Sequence, residues 1–262
     1  MTRVTPSVMS DRLEFASQLA RQAGQLAHSA FGASTATLKG RHDIVTEMDR
    51  EVERFIRSEI LKRYPDEGVI GEEEGGQNHA GDRVWIVDPI DGTANYARGI
   101  PHYCVSIGWL ERGVPSVGVI YAPCEDSLHA AEAGHGAWLN GQRLAVSACA
   151  ELDAATVECG WSTRLSNDAY VELVRRVFDA GCVMRRAGSG ALGLADVAAG
   201  RIECYCELHI NAWDVAAGIV LIREAGGRTN DFFTGDALAK GNPVIAANPQ
   251  LFEMLADVTG IR

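Results

Sequence analysis

Two aspartates, Asp88 and Asp91, stand three positions apart in the segment Trp85–Thr93, which reads WIVDPIDGT. The apolar residues before Asp88 predict a short buried strand, so both carboxylates are expected at its C-terminal end. Pro89 is expected to stiffen a turn between them, and Gly92 lets the backbone approach a ligand closely. No Lys or Arg within the segment offsets the two charges, and unpaired buried carboxylates are unfavourable. A hard divalent cation that prefers oxygen ligands, such as Mg²⁺, would neutralise them.

The same segment also fits an ordinary Asp-Pro turn with Asp91 and Gly92 as turn residues. If Thr93 instead begins a helix, its free N–H groups would form an anion site beside the carboxylates. The segment by itself leaves both interpretations open.

A second acidic segment, Gly71-Glu72-Glu73-Glu74, precedes this motif. Glu72 directly follows an apolar run and a glycine, so it can lie at a strand end facing the same site. The alternative is a solvated acidic loop, and the glycine-rich residues 75–81 that follow are predicted to be a loop.

A third acidic position, Asp214, falls in the first turn of a strongly apolar helix that is predicted from residue 213. An acid there is favoured by the helix macrodipole alone. The functional alternative is a distant ligand that completes a metal cluster.

The fourth acidic segment is Asp43–Asp49, in which Thr46 and Asp49 have capping-box spacing. We therefore predict a helix start at Thr46. Asp49 would have a second use if it acted as the base partner of Thr93.

Hydrophobic spacing predicts the elements that must position these residues. A helix is expected over residues 11–31, then a polar stretch from Ser34 to His42, and a second helix from Thr46 to Tyr64. Antiparallel strands follow at 103–110, 116–121 and 127–131, and Asn140-Gly141 marks a hairpin tip. The later expectations are strand 155–159, helix 168–180, strand 182–186, helix 190–199, strand 202–207, helix 213–225, strands 228–231 and 243–247, and helix 249–258.

This order predicts an α/β (α+β) fold, because strand and helix patterns alternate in the second half. A change of pattern near residue 145 predicts two subdomains. Residues 1–145 would form an α+β unit with the antiparallel sheet and the metal motif, and residues 146–262 an α/β unit that completes the site.

Composition narrows the classes of function. The chain has 262 residues, 47% of them hydrophobic, and a formal net charge of −11. Such an acidic surface does not suit non-specific nucleic-acid binding, and it repels phosphorylated substrates unless bound cations invert the local field. Seven scattered cysteines predict free thiols in a reducing cytoplasm. No signal peptide or membrane helix is expected, since no apolar run approaches roughly 18 residues.

The four acidic segments, in this order, resemble the inositol monophosphatase family. Trp85–Thr93 is similar to its W-I/V-x-D-P-I/L-D-G-T signature, and Gly71-Glu72-Glu73 to its G-E-E. Asp43–Asp49 is similar to D-x-V-T-x-x-D, and Trp213–Gly218 with Glu224–Gly227 to W-D-x-A-A-G…E-A-G-G. The resemblance extends from about residue 11 to residue 258.

The resemblance implies a layered α-β-α-β-α sandwich of the sugar-phosphatase type, a homodimer, and a cytoplasmic, lithium-sensitive enzyme. It implies two or three Mg²⁺ ions, with Mn²⁺ as a substitute. The implied ligands are the carboxylates of Glu72, Asp88, Asp91 and Asp214 and the backbone carbonyl of Ile90. Thr93 and Asp49 would orient and deprotonate the attacking water.

The resemblance also implies the residues that bind substrate. They are Asp91, Gly92, Thr93, Gly188, Ser189, Gly190, Glu207 and Asp214. Glu207 is expected to end its strand six residues before Trp213, beside Asp214. A carboxylate there can accept hydrogen bonds from two vicinal hydroxyls, which suits a phosphorylated polyol, although a surface strand end is the alternative.

Inositol 1-phosphate is the expected substrate, and several alternatives stay open. Histidinol phosphate, fructose 1,6-bisphosphate and 3′-phosphoadenosine 5′-phosphate phosphatases share the metal motifs. A bisphosphate would need extra cations, for which Arg98, Arg185 and Arg186 are candidates. An RNA-associated regulatory or interaction protein on the same fold is an alternative of another class.

Two departures from the family pattern concern the substrate region and its surroundings. Ser189-Gly190 stands where many members have Thr-Ala, and the register of Lys39 against the family lysine is unsettled. His209 and Asn211 lie in the loop expected to contact substrate. A thiolate or redox site at Cys204-x-Cys206 lacks a second cysteine pair at zinc spacing, so two small core residues are the simpler interpretation.

Overall fold

The computed structural model describes residues 10–32, 36–40, 43–77 and 81–262, with the backbone alone described at 36–40, 43–45 and Gln77. The helices in these ranges are α1 Asp11–Ser29, α2 Glu47–Arg63, α3 Thr93–Tyr96, α4 Asn167–Asp179, α5 Gly190–Ala198, α6 Ala212–Glu224, α7 Ala237–Lys240 and α8 Phe252–Thr259. The strands are β1 Ala36–Gly40, β2 Asp43–Thr46, β3 Gly68–Gly71, β4 Gly75–Gln77, β5 Arg83–Asp91, β6 Cys104–Glu111, β7 Val114–Ala122, β8 Ser127–Glu132, β9 Gly136–Leu139, β10 Gln142–Arg143, β11 Thr156–Cys159, β12 Val183–Arg185, β13 Cys204–Ile210, β14 Arg228–Thr229 and β15 Asn242–Ala247.

Two large sheets and three helix layers alternate. The first sheet has the strand order β10-β9-β8-β7-β6-β5-β3-β4, and the second has the order β12-β11-β13-β15-β14. Helices α1 and α2 cover the outer face of the first sheet, α5 and α6 lie between the sheets, and α4 and α8 cover the second. The arrangement is α-β-α-β-α, which confirms the predicted fold class.

The central layer fixes the position of α6. Gly108 on β6 and Gly118 on β7 leave room for this helix against the first sheet. A Cβ at Gly118 would lie 2.3 Å from the carbonyl oxygen of Ala217, and one at Gly108 would lie 2.6 Å from Cβ of Ala216. Because the backbone of α6 approaches the sheet so closely, the first turn of α6 is held beside the ends of the strands.

The helix starts follow from local sequence. Ser10 accepts a hydrogen bond from the Leu13 N–H at 3.2 Å and caps α1. Thr46 and Asp49 form a capping box at the start of α2, as their spacing predicts. Asn140 and Gly141 have φ angles of 48° and 81°, and they form the tight turn between β9 and β10.

Two expectations need correction, and one strand was not predicted. Gly75–Gln77 is a strand rather than a loop, because antiparallel pairing with β3 uses backbone groups and needs no apolar side chains. Ala36–Gly40, within the predicted polar stretch, is a strand that pairs with β2. Strand β13 continues to Ile210, so Glu207 lies inside it rather than at its end. The rest of the polar stretch, including Arg41 and His42, and the side chain of Lys39 lie outside the described residues.

Within the described ranges, no helix combines the length and apolar character needed to cross a membrane. The division into subdomains at residues 145 and 146 stays a prediction.

Candidate active site

A β-bulge brings Asp88 and Asp91 to the same side of β5. Asp88 pairs with Ser106 and Asp91 with Cys104, so three steps along β5 oppose two along β6. In a regular strand, residues three apart point to opposite faces, and the extra residue of a bulge cancels that difference. Pro89 lies in this bulge, where its missing N–H breaks no pairing. The prediction of a turn between the aspartates is therefore wrong. The bulge in β5 brings the two carboxylates to the same side instead.

The N-terminus of α5 holds the carboxylate of Asp91. The Ser189 hydroxyl donates to Oδ2 at 2.5 Å, and the N–H groups of Gly190 and Ala191 donate to Oδ1 and Oδ2 at 3.3 and 2.7 Å. Exposed N–H groups at a helix start favour an anion, and here the anion is a side chain from the other sheet. The orientation of Asp91 is thus set by a helix about 100 residues further along the chain.

Asp214 reaches the same point from α6. Its Oδ2 accepts the Asn211 N–H at 3.1 Å, which fixes the carboxylate at the start of the helix. Oxygens of Asp88, Asp91 and Asp214 all lie within 4.8 Å of one another. Asp88 and Asp91 are buried, and Asp214 is partly exposed to a cavity of about 510 Å³.

Burial and mutual repulsion disfavour the ionised forms of these three groups. Burial raises the pKa of Asp88 well above its usual range, and Glu72, Asp91 and Asp214 raise it further. Burial is also the largest cause that raises the pKa of Asp91, opposed by the Ser189, Ala191 and Gly190 hydrogen bonds. The pKa of Asp214 rises to about 8 through burial and the charges of Asp91 and Glu207.

This donor set fits a hard divalent cation. Oxygens of three carboxylates converge here, and the charges of Asp91 and Asp214 raise the pKa of Asp88. A bound cation would remove the repulsion that raises their pKa values, and oxygen-only ligands suit Mg²⁺ or Mn²⁺.

Glu72 lies directly after β3 and lines the same cavity as Asp91 and Asp214. It contributes to the raised pKa of Asp88, although it stands outside the group of three converging oxygens. The structure therefore places Glu72 at the edge of the cluster.

Thr93 begins the single turn α3, as the anion-site interpretation required, with Gly92 in the left-handed region at φ 94°. Its hydroxyl lies 3.0 Å from Asp49 Oδ1 and 2.9 Å from the carbonyl oxygen of Ile90. Asp49 is buried, and its Oδ2 accepts the Thr46 N–H at 2.8 Å. The predicted pair of Thr93 and Asp49 is thus in contact, beside the carbonyl of Ile90.

Glu207 faces the cavity from the second sheet. The Tyr205 hydroxyl donates to Glu207 Oε2 at 2.7 Å. Burial raises the pKa of Glu207 to about 7, while Tyr205, Arg186 and Arg164 oppose that rise. Gly188, Ser189 and Gly190 line the same cavity, as do His209 and Asn211.

Comparison with known proteins identifies the family. Residues 9–260 match the model of the inositol monophosphatase family. The chain is 39% identical over 250 residues to the fructose-1,6-bisphosphatase/inositol-1-monophosphatase of Thermotoga maritima, which covers 95% of both chains. It is 37% identical to the Nus factor SuhB of Escherichia coli K12, over 95% of this chain and 96% of that protein. The solved structure of the extragenic suppressor protein suhB of Bartonella henselae has a TM-score of 0.89 at 35% identity, covering 96% of this chain and 99% of that one.

The chain belongs to the inositol monophosphatase family. Phosphatases of this family are metal-dependent and act on phosphorylated small molecules, and the buried acidic group is of a kind that could hold a metal ion. The resemblance drawn from the four acidic segments is confirmed.

Some motif residues of this inositol monophosphatase family member hold the fold together. Glu224 accepts the N–H groups of Gly134 and Gly136 at 2.8 and 2.7 Å, and so closes the β8–β9 turn. All seven cysteines are free, as expected. Cys204 and Cys206 are buried core residues of β13, which favours the simpler of their two interpretations.

Sequence reasoning did not find several residues that contact the site. Ala191, Tyr205, Arg164 and Trp161 have no motif of their own. Tyr205 could have been inferred from Glu207, since residues two apart on a strand share a face. For Ala191 the signal was the Ser-Gly pair before an apolar run, which predicts a helix start. Arg164 and Trp161 lie on a loop and left no comparable signal.

Proposed function

We propose that the protein is a Mg²⁺-dependent phosphomonoester hydrolase that releases phosphate from a phosphorylated polyol, with inositol 1-phosphate as its substrate. The observation that carries the proposal is the convergence of Asp88, Asp91 and Asp214 at a cavity of about 510 Å³. The contact between Thr93 and Asp49 beside this cluster supports it.

The ions would be held by the five groups already named: the carboxylates of Glu72, Asp88, Asp91 and Asp214 and the carbonyl of Ile90. Two or three Mg²⁺ ions, or Mn²⁺ in their place, fit this set of oxygen donors. Bound Mg²⁺ would supply a Lewis acid toward the phosphoryl oxygens and would offset the charge of an acidic protein. By analogy with the family, we propose that Li⁺ inhibits the protein by competing for the second metal position.

The proton path begins at Thr93. A threonine hydroxyl is a weak base, so it needs a carboxylate that takes its proton. Asp49 is in position to accept the Thr93 proton, and Thr93 Oγ1 can then accept a proton from the attacking water. The water attacks phosphorus in line, the bond from phosphorus to the substrate oxygen breaks on the opposite side, and the departing alkoxide takes a proton from solvent to become the alcohol. The backbone N–H groups of Gly92 and Thr93 would hold the phosphate.

Glu207 would accept hydrogen bonds from the hydroxyls of the polyol, together with Asp91, Asp214 and the turn at Gly188–Gly190. Its hydrogen bond from Tyr205 favours the ionised form that accepts them. The deciding experiment is a phosphate-release panel with Mg²⁺ on inositol 1-phosphate, histidinol phosphate, fructose 1,6-bisphosphate and 3′-phosphoadenosine 5′-phosphate. We expect the highest kcat/KM for inositol 1-phosphate, and an equal or higher value for another substrate would reject the assignment.

A bisphosphate is the second candidate substrate, and two arginines favour it. Arg164 and Arg186 line the same cavity and lower the pKa of Glu207. Arg186 also lies over the ring of Trp161 at 5.7 Å. Two other arginines were expected from the sequence as phosphate-binding cations. Arg185 forms ion pairs with Glu158 and Asp196, and the Arg98 guanidinium donates a hydrogen bond to the Ala94 carbonyl.

The bisphosphate candidate is tested by Arg164→Ala and Arg186→Ala. If these cations bind a second phosphate, both changes raise KM for fructose 1,6-bisphosphate and leave KM for inositol 1-phosphate unchanged. Equal effects on both substrates would contradict it.

The alternative from another functional class is a regulatory protein. The name of the Escherichia coli relative, Nus factor, suggests this alternative. It is tested by Mg²⁺-dependent phosphate release and by RNA binding of the same preparation.

We propose no nucleic-acid partner, a homodimer and a cytoplasmic location. The acidic net charge and the seven free thiols support the first and third of these. Light scattering in solution tests the dimer.

A further inference from the structure

Helix α2 carries a buried ion pair whose partners are not among the proposed site residues. Glu53 and Arg57 are one helical turn apart and have exposed fractions of 0% and 4%. Their side chains are 2.9 Å apart. Asp49 lies one turn before Glu53, so the three residues form a row along one face of the helix.

The carboxylate of Glu53 binds the turn that contains Glu72. Its Oε2 accepts the N–H of Glu73 at 2.7 Å, and its Oε1 accepts the N–H of Glu74 at 3.0 Å. The fit at Gly71 is close, since a Cβ there would lie 2.4 Å from Oε1 of Glu53. The glycine of the Gly-Glu-Glu motif therefore makes room for a buried carboxylate from α2.

The guanidinium of Arg57 holds the two strands on either side of the same turn. It donates to the carbonyl of Val69 on β3 at 3.1 Å and to the carbonyl of Gly75 at the start of β4. Glu53 and Arg57 together contact the turn at its middle and at both ends. Glu72 lies between these contacts, at the edge of the cavity.

We propose that Glu53 and Arg57 are positioning residues for Glu72, and that α2 sets the geometry of the site at two points, through Asp49 and through this turn. The inference rests on the proposed function, because it concerns Glu72 as a metal ligand. A buried ion pair is weak evidence of added stability, because the unfavourable removal of both charges from water opposes the attraction between them. Groups that orient a ligand in this way change metal affinity when they are removed.

The test is a double-mutant cycle of Glu53→Gln and Glu72→Gln, read out by direct Mn²⁺ binding in electron paramagnetic resonance and by the Mg²⁺ concentration that half-activates phosphate release. We expect each single change to weaken Mn²⁺ binding about 10-fold. In the Glu72→Gln background, Glu53→Gln should weaken it no further, because the two changes act on the same ligand.

The control is Glu67→Gln. Glu67 is also buried and accepts hydrogen bonds from Trp85 and Trp109 at 2.8 and 3.0 Å, away from the Glu72 turn. It is expected to lower the melting temperature while leaving Mn²⁺ affinity unchanged. Arg57→Lys provides a second variant if Glu53→Gln fails to fold. It keeps the charge beside Glu53 but loses the forked contacts to Val69 and Gly75, so it should weaken Mn²⁺ binding as well.

The possible failures are distinguishable. If Glu72→Gln leaves Mn²⁺ binding and Mg²⁺ activation unchanged, the proposed ligand set is wrong and this inference is overturned with it. If Glu72→Gln weakens Mn²⁺ binding but Glu53→Gln and Arg57→Lys do not, the proposed function stands and the inference alone is overturned. Independent, multiplicative effects of Glu53→Gln and Glu72→Gln would also overturn it.

Discussion

The hydroxyl of Thr93 contacts the carboxylate of Asp49 at 3.0 Å, although 44 positions separate the two residues. The other oxygen of the same carboxylate completes the capping box of α2. One side chain thus caps the start of a helix and faces the proposed reaction centre. The helix start therefore supplies a rigid base partner, because the capping interaction restricts the rotation of Asp49.

Asp49→Asn is expected to lower kcat by about 10²- to 10⁴-fold, the range typical of a lost general base. KM should change little, because Asp49 does not contact the polyol in the proposed arrangement. Thr93→Val should have a similar effect, while Thr93→Ser keeps the hydroxyl and should retain most activity. Steady-state phosphate release checks these values, and full activity in Thr93→Val would exclude Thr93 from the proton path.

Asp214→Asn and Asp88→Asn are expected to abolish turnover while the protein stays folded. In the metal-free protein they should even raise the melting temperature, since a neutral amide relieves repulsion within the cluster. The folded-state pKa of Asp214, about 8, exceeds its ordinary value of 3.8. The free energy of unfolding therefore falls as pH rises between these values, because Asp214 ionises more readily in the unfolded chain. The gain from Asp214→Asn should therefore be larger at pH 8 than at pH 5.

Thermal unfolding in EDTA and in Mg²⁺ checks this expectation. Asp168→Asn is the matched control, because Asp168 occupies the first turn of α4 and is exposed outside the site. Wild-type turnover in Asp214→Asn, with bound metal verified, would reject the assignment of Asp214.

Gly118→Ala is expected to move α6 away from the first sheet. The new Cβ would meet the backbone of Ala217, which cannot rotate aside. Overpacking of this kind lowers the free energy of unfolding by about 1–3 kcal/mol. Because α6 carries Asp214, Mg²⁺ affinity should fall as well. Urea unfolding measures the loss of stability and Mg²⁺ titration measures the loss of affinity. Ser116→Ala in the same strand is the control. Unchanged Mg²⁺ affinity in Gly118→Ala would show that α6 tolerates the shift.

His129 is expected to make the protein acid-sensitive. It is buried on β8, and burial together with Arg201 lowers its pKa to about 4, while Asp196 and the Ile120 backbone oppose the shift. Because this value lies below the ordinary 6.5, the stabilisation is complete above pH 6.5 and is lost as pH falls toward 4.

The predicted loss from His129 between pH 7 and pH 5 is about 2 kcal/mol. His129→Gln should flatten the pH dependence of the free energy of unfolding by that amount, as measured in urea at both pH values. An unchanged pH slope would assign the acid sensitivity to other groups.

Tyr205→Phe is expected to raise KM for inositol 1-phosphate with little change in kcat. The lost hydrogen bond should raise the pKa of Glu207 above 7, so more of it is protonated at neutral pH and cannot accept from substrate hydroxyls. Between pH 7 and pH 9, the fold-rise in KM should be largest at pH 7 and should diminish toward pH 9. A uniform rise across that range would indicate a packing effect of Tyr205 instead.

The sequence determined by itself everything that depends on neighbours along the chain. The capping residues Ser10 and Thr46 and the Asn140-Gly141 turn act over a few positions, so their types and spacing suffice to predict them. The order of the acidic motifs was enough to indicate the family, its metal dependence and the pairing of Thr93 with Asp49.

Only the tertiary structure decided how the carboxylates are oriented. The bulge at Pro89 depends on pairing with β6, and the hydrogen bonds that hold Asp91 come from α5. Distant segments are likewise joined where Glu53 accepts hydrogen bonds from the turn that contains Glu72, and where α6 packs against Gly118. Such contacts form only when the layers pack, because hydrogen bonding and close packing depend on separation in space and leave no periodicity in the chain.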